Sequence, residues 1–147
     1  MIKRPRRLES GEIEALLALD VPARLATLDR DGFPHVTPLW FVWKDGAFFM
    51  TSIADRPHLR RLSHNPRAGV CIDVEDPERA DGQRPNRQVR AIGDAELFRD
   101  RDAQWTNRIT QKYVRGSAAA EMIATRAADD RLVICLRPAR VIAVASV

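Results

Sequence analysis

The stretch FPHVTPLWFVWKDGAFFMTSIADRPHLRRLSHNPR, residues 33–67, decides how the rest of the chain is read. Val36 to Lys44 is a long apolar strand, Asp45-Gly46 a tight hairpin turn, and Ala47 to Ser52 the return strand. The first strand is apolar on both faces, with Leu39, Phe41 and Trp43 on one and Val36, Trp40 and Val42 on the other. A strand wetted on one side would alternate, so this one needs a cover on each face: a helix, a ligand or another subunit. Pro38 cannot donate to a ladder and marks an edge, a bulge or a place where the strand opens. Asp55 is expected to cap a short helix with Pro57 in its first turn, Leu59 and Leu62 towards the core, and a stop at Asn65-Pro66. Four arginines, two histidines and no acid lie between Arg56 and Arg67. Hydrophobic walls running into such a cluster suit a molecule that is flat and apolar at one end and anionic at the other. A simple bulge and a solvated basic face are the plainer readings of the same residues.

Working outward, residues 1–9 read as a polar, mobile lead-in, and Ser10 caps an amphipathic helix ending before Pro22. Ala23 to Asp29 alternates, with Ala23, Leu25 and Thr27 on one face, and Gly32 supplies the turn that follows. Beyond the opening stretch come a strand over Arg67–Glu75 and an exposed loop over Asp76–Asn86. A long strand follows over Arg87–Phe98, with a bulge or sharp bend at Gly93. Asp100 to Val114 is a helix with Trp105, Ile109 and Tyr113 inward, ended by Gly116. A weaker helix spans Ser117–Ala128, and a final strand over Arg131–Val144 is broken at Pro138. Six strands with helices inserted late predict a mainly β (α+β), six-stranded antiparallel barrel with peripheral helices, in a single domain over 1–147.

The composition, 45% hydrophobic and 30% charged, is that of an ordinary soluble globular domain. A net charge of +4 favours anionic partners. Cys71 and Cys135 sit in apolar runs and read as buried thiols in a reducing cytosol. With no signal-peptide pattern and no membrane-spanning run, the expected location is cytoplasmic. The chain carries no GxGxxG, P-loop or GxSxG pattern, no acid pair and no metal constellation. His35, His58 and His64 have no obvious partners in sequence. If the protein is an enzyme, a cofactor carries its chemistry.

Four segments then agree in order and spacing: RLATLDRDGFPHVTPLWFVW, FFMTS, LSHNPRAGV and RQVRAIGDAEL. Together they resemble the pyridoxamine 5′-phosphate oxidase-like flavin-binding split barrels. The resemblance implies a Greek-key split barrel forming a homodimer, with two cofactor sites at the subunit interface. It implies that Val36, Pro38, Leu39 and Trp40 line a flavin ring and that Thr51 and Ser52 approach the cofactor tail. It places Arg56 and His58 at the phosphate, Arg61 on the same helix face as His58, and Gln88 as a cofactor-contacting glutamine. The cofactor it implies is FMN or the deazaflavin coenzyme. Two departures stand out. His58 occupies the usual lysine position, after a loop about one residue short. The C-terminal segment that pyridoxamine phosphate oxidases use for their substrate is not matched, so vitamin B6 oxidation is not expected.

The reading that follows is an oxidoreductase transferring hydride to or from a small conjugated substrate. One alternative is a flavin-binding carrier or sensor without turnover. Another is a basic barrel binding single-stranded nucleic acid through Trp40, Trp43 and the arginines, which requires both tryptophans to be exposed.

Overall fold

The computed structural model describes residues 4–77, 82 and 84–146. Along the chain run β1 (Arg6–Arg7), α1 (Ser10–Leu17), β2 (Ala23–Leu28), β3 (Pro34–Leu39), β4 (Val42–Lys44), β5 (Ala47–Ile53) and α2 (Pro57–His64). There follow β6 (Arg67–Glu75), β7 (Asn86–Arg99), a 3₁₀ turn (Arg101–Ala103), α3 (Gln104–Tyr113), α4 (Ser117–Ala127), β8 (Arg131–Leu136) and β9 (Arg140–Ser146). Every pairing is antiparallel, in the order β3-β2-β6-β7-β8-β5-β4, with β9 also on β7 and β1 on β9. The fold is mainly β with four helices on an open antiparallel sheet.

All six expected strand runs form, but two of them divide and one short strand is added. The run over Val36–Lys44 leaves its ladder at Trp40 and Phe41; Pro38 lies before the break on edge strand β3, where only the β2 side is paired and its missing N–H costs no ladder bond on the open side. The last run divides around Pro138, as expected. The lead-in is tied down from Arg6 onward. Leu8 is buried and donates its N–H to Ala143 O at 3.0 Å, while Arg6 grips Glu12 through two hydrogen bonds. The first three residues of that lead-in, and 78–81 and 83 of the loop, lie outside the described residues. Two caps also differ from expectation. Glu9, not Ser10, caps α1 in a capping box with Glu12, and Arg56 stands at the start of α2 while Asp55 makes a left-handed turn (φ 77°).

β7 belongs to both halves of the sheet. Residues 86–94 pair with β6, 86–92 also with β9, and 95–99 with β8. The changeover falls at Gly93, where a Cβ would stand 2.8 Å from Arg137 O and 3.2 Å from Ala139 N. Only glycine lets the β8–β9 corner cross so closely. Inside lie Leu16, Leu17, Leu25, Phe41, Phe48, Met50, Ile72, Val89, Ile134 and Leu136, all essentially inaccessible. The alternation read in β2 is present: Ala23, Leu25 and Thr27 are buried. Cys71 and Cys135 are free thiols, the first half-buried and the second buried.

Candidate cofactor site

A cleft of about 490 Å³ opens where β3 ends, between the C-terminal end of β5, the start of α2, the helices α3 and α4, and the start of β8. Pro38, Leu39 and Trp40 form one apolar wall, and Ile53 and Ile109 add to it. Thr51 and Ser52 supply hydroxyls, and Arg56, Arg126 and Arg131 supply positive charge. Asp129 is the acid among the lining residues.

The break after β3 is held by two consecutive residues at the end of α3. Lys112 Nζ donates to Leu17 O and Phe41 O, both at 3.0 Å, and sits 3.8 Å from the Phe41 ring centre. The Tyr113 hydroxyl donates to Val21 O at 2.8 Å and accepts from Phe41 N at 3.3 Å. Its ring stacks on Trp40, and Arg126 lies over the Trp40 ring at 5.4 Å. Burial drives both groups towards neutrality: Lys112 is pulled down to about 8 and Tyr113 pushed up to about 12.

The floor is a buried polar network. Asp100 caps α3 through the N–H groups of Trp105 and Thr106, both at 2.9 Å, and accepts the Thr106 hydroxyl at 2.6 Å. Thr106 Oγ1 is also 3.0 Å from Thr51 Oγ1 and accepts from Arg131 Nε at 3.2 Å. Arg131 Nη2 reaches Thr51 O and Thr51 Oγ1, both at 3.4 Å. With a side chain only 10% exposed, Arg131 has Asp129 as its nearest counter-charge, at a loose 3.7 Å. Burial, and then the charge of Arg126, pull the Arg131 guanidinium below its ordinary value. Three guanidiniums against one carboxylate leave the cleft cationic.

His58 stands behind this surface. It is buried, and its Nε2 is 3.0 Å from Ser52 Oγ. Desolvation, and then the charges of Arg61 and Arg56, lower its pKa, so the ring is neutral at pH 7. His58 therefore orients Ser52 and brings no charge of its own.

Six of the residues expected from sequence line one cleft: Pro38, Leu39, Trp40, Thr51, Ser52 and Arg56. Three lie elsewhere within the single chain. Arg61 is on the other side of α2, donating Nε to Thr27 Oγ1 at 2.8 Å. Val36 is 64% exposed on the outer face of the sheet. Gln88 lies on β7 and donates its side-chain amide to Asn86 Oδ1 at 3.0 Å. Arg126 and Arg131 were missed. Arg131 reaches the cleft because β8 pairs with β5, setting Arg131 opposite Ile53, and no local pattern announces which strands pair. Neither tryptophan is a free platform: Trp40 lies on Tyr113, and Trp43 packs on Phe48 and donates to Glu14 at 3.1 Å.

The family model described as Pyridoxamine 5′-phosphate oxidase matches residues 10–145. No match is found among curated proteins. Among solved structures, a conserved hypothetical protein from Mycobacterium tuberculosis is 21% identical, with a TM-score of 0.72 over 92% of this chain and 84% of its own. An FAD-binding protein from Mesorhizobium loti is 21% identical, with a TM-score of 0.69 over 99% of this chain and all of its own (100%). An F420 reductase is 23% identical, with a TM-score of 0.62 over 87% of this chain and 94% of its own. At these identities the likeness is one of fold.

Proposed function

Because the chain belongs to the pyridoxamine 5′-phosphate oxidase family, we propose that it holds a flavin-type cofactor, FMN or the deazaflavin coenzyme, in the Trp40–Arg131 cleft and works as an oxidoreductase. The observation that carries this reading is the joining, in one cleft, of the Pro38–Leu39–Trp40 shelf to Arg56, Arg126 and Arg131. A volume of about 490 Å³ is in the range of small-molecule sites. The apolar shelf suits a flat ring, and the arginines suit a phosphate. The names of the FAD-binding protein and the F420 reductase agree with a flavin-type group without choosing between FMN and the deazaflavin.

Such a group, when bound, accepts or gives up a hydride, here to or from a small conjugated substrate. The chain's own part is to place it. Tyr113 and Lys112 hold the β3 break open and fix Trp40 as a wall. Thr51, Ser52 and Arg56 face the tail, with His58 setting the Ser52 hydroxyl.

A homodimer belongs to this proposal. The outer sheet face exposes Val36, Ile92 and Ile142 at 64%, 53% and 41%. Such a strip on one face suits a subunit contact. Gln88 alternates outward with Ile92 along β7, so a partner on this face would receive it. We place the protein in the cytoplasm as a single-domain flavoprotein; among the described residues no helix is long and apolar enough to cross a membrane.

A second reading, a carrier or sensor without turnover, has one observation in its favour. Asp129 is the sole acid among the described residues lining the cleft, and it faces Arg131, so no side chain there is set up for proton transfer.

Fluorescence titration of the purified protein with FMN and with the deazaflavin coenzyme tests the cofactor reading. Saturable binding of one of them is expected, weakened at least about tenfold in Arg56→Ala, as loss of a charged hydrogen bond predicts. Failure of both to saturate would overturn it. Turnover with the reduced cofactor and a panel of conjugated acceptors then separates enzyme from carrier.

A further inference from the structure

A second cleft, of about 640 Å³, lies on the far side of α2, between that helix and the β2–β3 hairpin. It shares no lining residue with the Trp40 cleft. Three guanidiniums from two elements border it: Arg30 from the hairpin, Arg60 and Arg61 from the helix. Among the described residues each guanidinium makes one hydrogen-bond contact that leaves part of its fork open. Arg61 Nε donates to the buried Thr27 hydroxyl at 2.8 Å, and Arg60 Nη1 donates to the carbonyl of Asp55. Arg30 Nη2 is 3.1 Å from His64 Nε2. An arginine can only donate, so His64 Nε2 is the acceptor in that contact.

The carboxylate bordering this cleft is already committed. Asp29 Oδ1 accepts the N–H groups of Asp31 and Phe33, both at 2.9 Å, and Oδ2 meets His35 Nε2 at 2.8 Å. The hydrogen bond from His35, ahead of the two backbone bonds, keeps that carboxyl below its usual range. Among the described residues, Arg30, Arg60 and Arg61 have no carboxylate within salt-bridge distance. Three partly constrained, uncompensated guanidiniums around one concavity make a site for a group with several acceptor oxygens and more than one negative charge.

We propose that this second cleft binds a small phosphorylated ligand, through a phosphate or pyrophosphate group held by Arg30, Arg60 and Arg61. The site is independent of the flavin reading and survives its failure. Among the described residues no Phe, Tyr or Trp lines it, so it lacks the large stacking surface that single-stranded nucleic acid uses.

Calorimetric titration of the full chain with inorganic pyrophosphate, and in parallel with ADP, tests the proposal. Saturable binding is expected, with a component that is weakened at least about tenfold by Arg30→Gln and by Arg60→Gln and that persists in Arg56→Gln, which can remove only binding in the other cleft. Equal affinity for the two probes would show that the pyrophosphate group suffices; tighter ADP binding with the same sensitivity to the variants would show a nucleoside seated beside Leu28 and Pro57. Arg30 and Arg60 are exposed, and unchanged thermal melts of both variants confirm that the fold is kept. Absence of saturable binding would overturn the site, as would loss of binding only in Arg56→Gln. Displacement of pyrophosphate by a single-stranded oligonucleotide with a steep salt dependence would overturn it in favour of nucleic acid.

Discussion

The indole of Trp40 lies flat against the phenol ring of Tyr113, with centroids 4.8 Å apart and planes 3° from parallel. The Tyr113 hydroxyl meanwhile holds the backbone at Val21 and Phe41. The wall of the cleft and the break in its edge strand thus depend on one side chain. Tyr113→Phe keeps the stack and removes both hydrogen bonds. It should cost roughly 1–3 kcal/mol in urea unfolding and weaken cofactor binding several-fold, because the carbonyl of Val21 and the N–H of Phe41 are left without their partner.

Lys112 gives a pH signature. Its folded pKa of about 8 lies below the ordinary lysine value of 10.5, so between those pH values the unfolded chain holds a proton that the folded chain has lost. Stability should therefore rise with pH across that window, with the lysine contribution lowest below pH 8. Tyr113 runs the other way: its folded pKa near 12 is raised above 10, so its contribution fades as pH climbs from 10 to 12. Urea unfolding of wild type and Lys112→Met from pH 7 to 10 checks the first part; parallel curves would refute it.

His58 acts on the acid side. Its folded pKa is depressed, mainly by desolvation, so stability should fall as pH drops below about 6.5, where the unfolded ring charges first. An anion bound beside Ser52 reverses that pressure, and cofactor binding near pH 6 should take up protons. Calorimetry in buffers of different ionisation enthalpy reads the uptake, which His58→Gln should abolish.

Gly93→Ala should be among the costliest small substitutions in the chain. Its methyl meets two backbone atoms of the β8–β9 corner, and neither can swing aside as a side-chain tip would. Overpacking of this kind costs roughly 1–3 kcal/mol. A melting curve that matched wild type would show that the two halves of the sheet part more easily than the contact implies.

Thr106→Val tests the floor of the cleft. The change keeps the shape, removes the acceptor of Arg131 Nε and breaks the links to Thr51 and Asp100. A loss of about 1–3 kcal/mol is expected, together with weaker phosphate retention as Arg131 loses its alignment. Cofactor affinity measured beside stability separates the two effects.

Much of the architecture was legible because local chemistry announces it. Pro38 marked an edge strand, Pro138 an interruption, Gly93 a special point along β7, and the alternation of Ala23, Leu25 and Thr27 the buried face of β2. The apolar wall of the cleft and Arg56 were legible for the same reason, since they follow one another along a single hairpin and helix. Arg126 and Arg131 were not, because their place depends on β8 inserting between β5 and β7, a pairing across roughly eighty residues with no local signature. Arg61 was misplaced by a rotation. Three positions from His58 on α2, it turns to Thr27, and a helix face read from sequence does not say which of two clefts it borders.

The insertion of β8 also sets an order of assembly. β5 and β7 both wait for a strand that begins at Arg131, late in the chain, and each keeps a row of unpaired N–H and C=O groups until it arrives. Closure over so long a separation is slow, so the cationic floor of the cleft is among the last parts to become fixed as the protein folds. A chain cut short before Arg131 would carry the whole apolar wall and lack the guanidinium that sits deepest in the cleft floor. The finished strand is what separates a closed β5–β8–β7 ladder from one with two open edges that invite aggregation.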